Sequence, residues 1–358
     1  MQLDKKEFHT KVLRVNPQNP DQDAIEEAAG IIKRAGLVAF PTETVYGLGA
    51  DALSHDGVLR IFEAKGRPSD NPIIVHVSTV GDLKRVAEEI SPLAKVLIDR
   101  FWPGPLTLLF KRKQTVPDIT VAGLDTVAVR MPRHLVALSL IRTSETPIAA
   151  PSANVSGSPS PTTADHVLSD LNGKIEMILD GGESNIGVES TVLDITCTPP
   201  MVLRPGGTTV EDIESYIGKI ELHPTVLAEI KLDEYLAKSP GMKYRHYAPR
   251  AVLFLVEGEN LERVRSKVQE TADNLKRQGK RKVAIIAPSG YSYKADTVKS
   301  LGDREKLELI AKKLFPTLRK MDEEKVDAIV VEGVKIQGLG LAIMNRLRRA
   351  SGGNTIKV

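Results

Sequence analysis

Apolar positions in this 358-residue chain recur in two rhythms, one helical and one extended. Behind Asp21 and Asp23, which can cap a helix, Ile25, Ala28, Ala29 and Ile32 repeat at helical spacing, and Gly36 suits a stop. LVAF (37–40) then reads as a short buried strand. A second helix is expected over about 57–65 with Val58, Ile61 and Phe62 inward, a strand at IIVHV (73–77), and a helix at 91–101. LTLLF (106–110) and the alternating TVAVR (126–130) predict strands. Further strands are expected at 147–150, 176–180, 191–195 and 201–204, followed by a helix at 208–217. So many short strands among helices predict an α/β fold with a mixed sheet.

Residues 219–250 carry no strong periodic element and end in the turn-rich, basic SPGMKYRHYAPR, which reads as a linker. From 251 the texture changes. AVLFLV (251–256), KVAIIA (282–287) and DAIVVEG (327–333) read as buried strands, with helices at 259–278, 303–321 and 338–350. That alternation predicts a small parallel βαβαβ unit. The expected organisation is a first domain over 1–218, a linker over 219–250 and a second domain over 251–358.

Composition narrows the function. Hydrophobic residues make up 41% and charged residues 27%, ordinary for a folded protein. A net charge of +3 is too balanced to mark a nucleic-acid binder in bulk, so any anion site must be local. The single cysteine, Cys197, allows neither a disulfide framework nor a cysteine metal site, which suits a reducing cytosol. The opening MQLDKKEFHT has no apolar h-region, and the longest apolar runs are only strand length, so a cytoplasmic protein without membrane spans is expected.

The familiar phosphate-binding and zinc signatures are absent: no G-x-x-x-x-G-K-[ST], no post-strand G-x-G-x-x-G, no H-E-x-x-H and no C-x-x-C. Other segments carry the candidate chemistry. FPTETVYGLGADA (40–52) sets Thr42, Thr44 and Tyr46 at a strand's end; it is either a ligand loop or a structural strand-to-helix turn built on Gly47 and Gly49. In AKGRPSDNPIIVHV (64–77), Lys65 and Arg67 flank a glycine and can face one pocket, with Asn71 nearby. His76 lies among apolar neighbours, a common setting for a core histidine. FWPGPLTLLF (101–110) reads as a structural turn. Arg130 ends a strand before Met131-Pro132, either to clamp a carboxylate or to make a surface ion pair. PIAAPSANVSGSPSPTT (147–163) is small and hydroxyl-rich; lying between two strands, it reads as an anion-binding nest rather than a flexible linker. In 180–207, glycines surround Ser190 and Thr191, and Arg204 ends a strand before Pro205-Gly206-Gly207, mirroring Arg130. Four cations beside turns, with no triad or carboxylate pair, point to an anionic nucleotide and a small carboxylate ligand, and to catalysis by positioning and electrostatics.

PTETVYGLG, AKGRP..NP, FWPGPLT, V.VR.P, APSAN.SG.PSPT, ESTV.D and LRPG occur here in one order over about residues 22–217. Together they resemble the threonylcarbamoyl-AMP synthase (YrdC-like) family, and the SPGMKYRHYAP segment before a small α/β unit resembles its two-domain form. The resemblance implies a YrdC-like twisted mixed open sheet with helices, plus a smaller Rossmann-like parallel α/β domain. It implies the conversion of ATP, L-threonine and bicarbonate to threonylcarbamoyl-AMP and pyrophosphate, with Mg²⁺ accompanying ATP and no protein metal ligands. A partner transferase would pass the group to adenosine 37 of ANN-decoding tRNAs. The resemblance assigns threonine to Thr44, His76, Arg130, Ser152 and Ser190. It assigns the nucleotide to Arg67, Asn71, Thr126, Ala150, Ser160 and Arg204, with Lys65 and Arg67 acting on the phosphate. The linker, through Tyr244 or His246, would close over the site. Two alternatives remain open: a non-catalytic double-stranded RNA or tRNA-binding module, to which Lys111, Arg112 and Lys113 would add charge, and carbamoyl-adenylate chemistry like that of hydrogenase-maturation carbamoyltransferases. The latter carry zinc-finger segments whose cysteine pattern is missing here.

Overall fold

The computed structural model describes residues 9–226 and 246–358. Tyr244, a candidate lid residue, lies outside the described residues.

The first unit begins with β1 (Lys11–Arg14), α1 (Gln22–Lys33), β2 (Val38–Phe40), β3 (Gly47–Asp51), α2 (His55–Lys65) and β4 (Val75–His76). It continues with α3 (Pro92–Phe101), β5 (Leu106–Lys111), α4 (Asp118–Val121), β6 (Thr126–Arg130), α5 (Leu135–Ser144), β7 (Ile148–Ala149) and α6 (Ala164–Leu171). β8 (Met177–Asp180), β9 (Thr191–Asp194), β10 (Met201–Arg204), α7 (Val210–Ile217) and β11 (Glu221–Leu222) complete it. Eleven strands form one mixed sheet in the order β1-β8-β2-β3-β7-β4-β6-β5-β9-β10-β11.

The helices start and stop for local reasons. The Asp21 carboxylate accepts from the Ala24 amide at 3.2 Å and opens α1, whose Ile25, Ala28, Ala29 and Ile32 are buried as their spacing predicts. Ser54 caps α2 through the Gly57 amide at 3.1 Å, and Gly66 ends it in the left-handed region at φ 60°. The unpredicted α5 buries Val136, Ala137, Leu140 and Ile141 in the same cluster as the α1 face.

Two details depart from the sequence pattern. GLGAD is a strand, not a turn: β3 runs antiparallel to β2. Its Gly49 is required by close approach, since a Cβ there would sit 2.7 Å from Phe40 Cε1 and 2.8 Å from Ile148 Cγ2. The 73–77 run is extended, but only Val75 and His76 form a strand, because the Ile73 amide turns to the Thr120 carbonyl and the Val77 amide to that of Arg130.

The second unit contains β12 (Val252–Glu257), α8 (Leu261–Arg277), β13 (Val283–Ala287), β14 (Thr297–Ser300), α9 (Leu307–Glu323), β15 (Ala328–Glu332), α10 (Leu339–Ser351) and β16 (Thr355–Lys357). Its five strands are all parallel, in the order β14-β13-β15-β12-β16. The three expected central strands gain an edge strand on each side. Alternate strand residues bury α8 on one face and α9 with α10 on the other, as a doubly covered parallel sheet demands.

The units share a core. Val45 and Val188 of the first unit belong to the same buried cluster as Ile310, Leu314, Phe315, Ile343 and Leu347. Gly187, at φ 81°, lies so close to α9 that a Cβ would come within 2.4 Å of the Lys312 Cα. Polar ties surround this contact. Arg319 grips both Asp170 oxygens at 3.0 and 2.8 Å and the Pro159 carbonyl at 2.5 Å, and Asn345 donates to the Val226 carbonyl at 3.1 Å. Among the described residues no helix is long and apolar enough to cross a membrane.

Candidate functional site

A single cleft gathers most of the candidate side chains at the sheet's centre. β4 and β6 are parallel, and their register sets His76 beside Arg130 at their shared C-terminal ends. Thr44 comes from the bend before β3. Ala150 and Ser152 come from the turn after β7, and Ser190 and Arg204 from the junctions of β9 and β10. All of these line the cleft, together with Arg67, Ser160 and His246. Central burial follows from the topology: the cleft lies where parallel strand ends meet glycine- and serine-rich loops, the usual binding edge of α/β sheets.

The arginines are held by different partners. Arg130 is 3% exposed, yet its Nη1 donates to Thr44 Oγ1 at 2.9 Å and its Nε to the Gly104 carbonyl at 3.1 Å, while Nη2 is 2.7 Å from a Glu43 carboxylate oxygen. This buried pair replaces the surface ion pair that the sequence left open. Arg204 bonds the Ser190 carbonyl through Nε at 3.1 Å and through Nη2 at 2.9 Å, and reaches Ser190 Oγ at 3.1 Å. Ser190 Oγ also shares a 2.8 Å hydrogen bond with Thr107. Arg67, beyond the αL stop of α2, is steered by the Asn71 and Pro72 carbonyls at 3.3 and 3.2 Å. Three guanidiniums thus border one cleft, a setting for polyanionic or carboxylate ligands.

His76 is neutral here. Burial, reinforced by the charge of Arg130, lowers its pKa from 6.5 to about 3. Its Nδ1 is buried without a hydrogen-bond partner among the described residues. A neutral imidazole in this place can both donate to and accept from an uncharged hydroxyl. The sign of the linkage follows: the folded pKa lies below the unfolded one, so stability is full above pH 6.5 and falls as pH drops from 6.5 toward 3. His76→Gln should therefore flatten the pH dependence of urea unfolding in that window, by up to about 1.4 kcal/mol per pH unit. An unchanged slope would mean the imidazole is protonated in the fold.

Three candidates are placed elsewhere. Lys65 does not face the cleft. It is buried on the last turn of α2, and its Nζ donates to the Ser152 and Asn154 carbonyls at 2.6 and 2.5 Å. Burial, with the nearby Arg67 charge, pushes its pKa well below the usual lysine range. Its geometry makes it a strut under the 152–154 turn rather than a phosphate ligand. Thr126 sits at the opposite end of β6 from Arg130, paired with Lys111, and does not line the cleft. Asn71 is buried behind Arg67, and its side-chain amide has no partner among the described residues. Of the basic run, Arg112 is paired with Asp118 at 2.6 Å and Lys113 is tied to the Lys84 carbonyl at 2.6 Å.

The sequence reading missed Glu189 and Tyr247, both of which line the cleft, and Arg346 behind them. The Glu189 Oε1 accepts from Ser160 Oγ at 2.6 Å, and its Oε2 from Arg346 Nε at 2.8 Å. Tyr247 stacks on Phe315 with centroids 5.4 Å apart, anchoring the end of the linker on α9. The periodicity carried no signal for Arg346. The pattern of α10 alone reads as amphipathic, with Asn345, Arg346 and Arg349 on one polar arc; the assembled structure buries all three.

A mixed-sheet unit with an arginine-bordered cleft, backed by a parallel α/β unit that shares its core, defines a two-domain enzyme for anionic substrates. Residues 30–206 match a family model described as "Telomere recombination", and residues 208–352 match one described as "Threonylcarbamoyl-AMP synthase, C-terminal domain". The threonylcarbamoyl-AMP synthase of Pyrococcus abyssi is 57% identical, covering 93% of this chain and 96% of its own length. That of Bacillus subtilis is 50% identical over 93% and 94%. The crystal structure of P. abyssi Sua5 complexed with L-threonine superposes with a TM-score of 0.92 at 54% identity, covering 98% of this chain and 100% of that one. The chain belongs to the threonylcarbamoyl-AMP synthase family, and its function is the synthesis of threonylcarbamoyl-AMP.

Proposed function

We propose that the cleft binds ATP and L-threonine side by side and joins them through bicarbonate. The threonine amine attacks the bicarbonate carbon, a C–O bond breaks and water leaves, giving N-carboxythreonine. A carbamate oxygen then attacks the α-phosphorus of ATP, the Pα–O bond to the leaving group breaks, and pyrophosphate departs. The overall step is nucleotidyl transfer.

The observation that carries this reading is the convergence of Arg67, Arg130 and Arg204 on one cleft with hydroxyls and a neutral imidazole. Arg130, beside Thr44, His76, Ser152 and Ser190, anchors the threonine carboxylate and satisfies its hydroxyl. Arg67 and Arg204 face the phosphates, where charge develops on the non-bridging oxygens. Ala150 leaves room for the nucleotide, and His246, next to the anchored Tyr247, closes the mouth. The carbamate is unstable in water, so enclosure serves the chemistry. Lys65 supports this arrangement from behind by fixing the Ser152 carbonyl.

Mg²⁺ would enter with ATP as part of the substrate. The described residues contain no group of three or more His, Cys, Asp or Glu that could hold a metal. The carboxylate of Glu189 is engaged by Ser160 and Arg346. The ion is expected to be coordinated by phosphate and water. The product would pass to a threonylcarbamoyl transferase that acts on adenosine 37 of ANN-decoding tRNAs.

The test is pyrophosphate release from Mg-ATP with threonine and bicarbonate each omitted in turn. Release should require both. Release that ignores threonine, or tRNA binding without turnover, would remove the reading.

A further inference from the structure

The second domain reaches the cleft through one chain of hydrogen bonds. Arg346 on α10 is fully buried, and it donates through Nε to Glu189 at 2.8 Å and through Nη1 to the Pro205 carbonyl at 2.7 Å. Glu189 presents its other oxygen to Ser160 Oγ at 2.6 Å. Ser160 itself is buried at the cleft wall.

An ionised carboxylate has no proton to give. Burial works to raise the Glu189 pKa, but the charges of Arg346 and Arg204 and the Ser160 hydrogen bond outweigh it and hold it below the usual value. The groups facing this carboxylate come from every side: Arg346 from α10, Arg204 from β10, Ser160 from the loop after β7 and Tyr247 from the end of the linker. Among the described residues, Ser160 and Arg346 hydrogen-bond this carboxylate, and both must donate. The single hydroxyl proton of Ser160 is therefore committed to Glu189. What Ser160 offers a ligand is lone pairs.

We propose that Arg346 of the second domain is a positioning residue that fixes the hydrogen-bond polarity of the nucleotide subsite, so that Ser160 accepts from a donor on the nucleotide rather than donating to a phosphate. The inference rests on the cleft holding ATP. The candidate donors are the ribose hydroxyls and the adenine 6-amino group. Ser160 is thereby a specificity-determining residue, and the second domain has a role in substrate selection as well as in packing.

The experiment uses the full chain and measures kcat/KM for ATP, 2′-deoxy-ATP, 3′-deoxy-ATP and purine riboside triphosphate, which lacks the 6-amino group. In the wild-type protein one analogue should lose about tenfold, the worth of one hydrogen bond in a buried site. In Ser160→Ala that penalty should vanish while the others stay. Arg346→Met removes the charge that keeps Glu189 ionised. It should bring an acid limb of kcat/KM for ATP up toward neutral pH and blunt the same analogue's penalty. If Arg346→Met fails to fold, the Ser160→Ala arm decides alone. Equal weakening toward all four nucleotides in Ser160→Ala, with the penalties intact, would show that Ser160 donates to phosphate and would overturn the proposal. So would a folded Arg346→Met protein with an unchanged pH profile and unchanged discrimination. Absence of ATP turnover in the wild-type protein would instead refute the nucleotide reading itself.

Discussion

Arg130→Ala should lower kcat/KM for threonine by about 10²–10³-fold while leaving the far-ultraviolet circular dichroism unchanged. Its guanidinium is the cation placed beside both Thr44 and His76. It is balanced by Glu43 at 2.7 Å. Truncation removes the proposed anchor for the substrate carboxylate and leaves Glu43 buried at 6% exposure without its counter-charge. Losing one member of such a buried ion pair costs about 2–5 kcal/mol, which sets the size of the effect. The loss should fall on threonine. Nucleotide affinity, measured by calorimetry without threonine, should change far less. Threonine saturation at wild-type concentrations would take Arg130 out of the amino-acid site. Arg130→Lys should not rescue fully, because a point charge cannot hold the fork that now spans Thr44, Gly104 and Glu43.

Gly206→Ala should be almost as damaging, although residue 206 carries no functional group. A Cβ at this position would lie 2.2 Å from the Glu189 carbonyl oxygen, 2.3 Å from the Ser190 carbonyl carbon and 2.4 Å from the Thr191 amide nitrogen. All three are backbone atoms, so no side chain can swing aside. The strand start at 189–191 must move, and with it Glu189, Ser190 and the Arg204 contacts to Ser190. Overpacking of this kind costs about 1–3 kcal/mol of stability. A displacement of about 1 Å at the reacting groups costs about 10²-fold in rate. The expected result is a folded protein with a lowered Tm and about a hundredfold loss in kcat. Wild-type turnover would mean that the 189–191 backbone does not position the chemistry.

The cleft was partly legible before any coordinates. Arg67, Arg130 and Arg204 each precede a turn residue, and a cation that gains little from packing stands out there. Ser152, Ser160 and Ser190 lie in small-residue loops whose position between strands excludes a free linker. Lys65 misled because its spacing from Arg67 suggested a shared pocket. Gly66 turns the chain through the left-handed region between them, so the two cations diverge: one goes under the 152–154 turn and one into the cleft. Thr126 lies away from the cleft for a plainer reason. Four steps along the extended strand separate it from Arg130, about 13 Å at strand rise.

What chain order and residue chemistry established was the central helices and strands of both units, the parallel second unit and the family. Those depend on local periodicity and on short motifs that need no distant partner. The Glu189–Arg346 link, the Arg130–Glu43 pair and the strand character of GLGAD depend on which segments meet across gaps of up to 157 residues. Each involves a charge or a glycine whose role is set by what packs against it. Periodicity reports which face of an element is buried; only the assembled sheet and its docked second unit specify the partner.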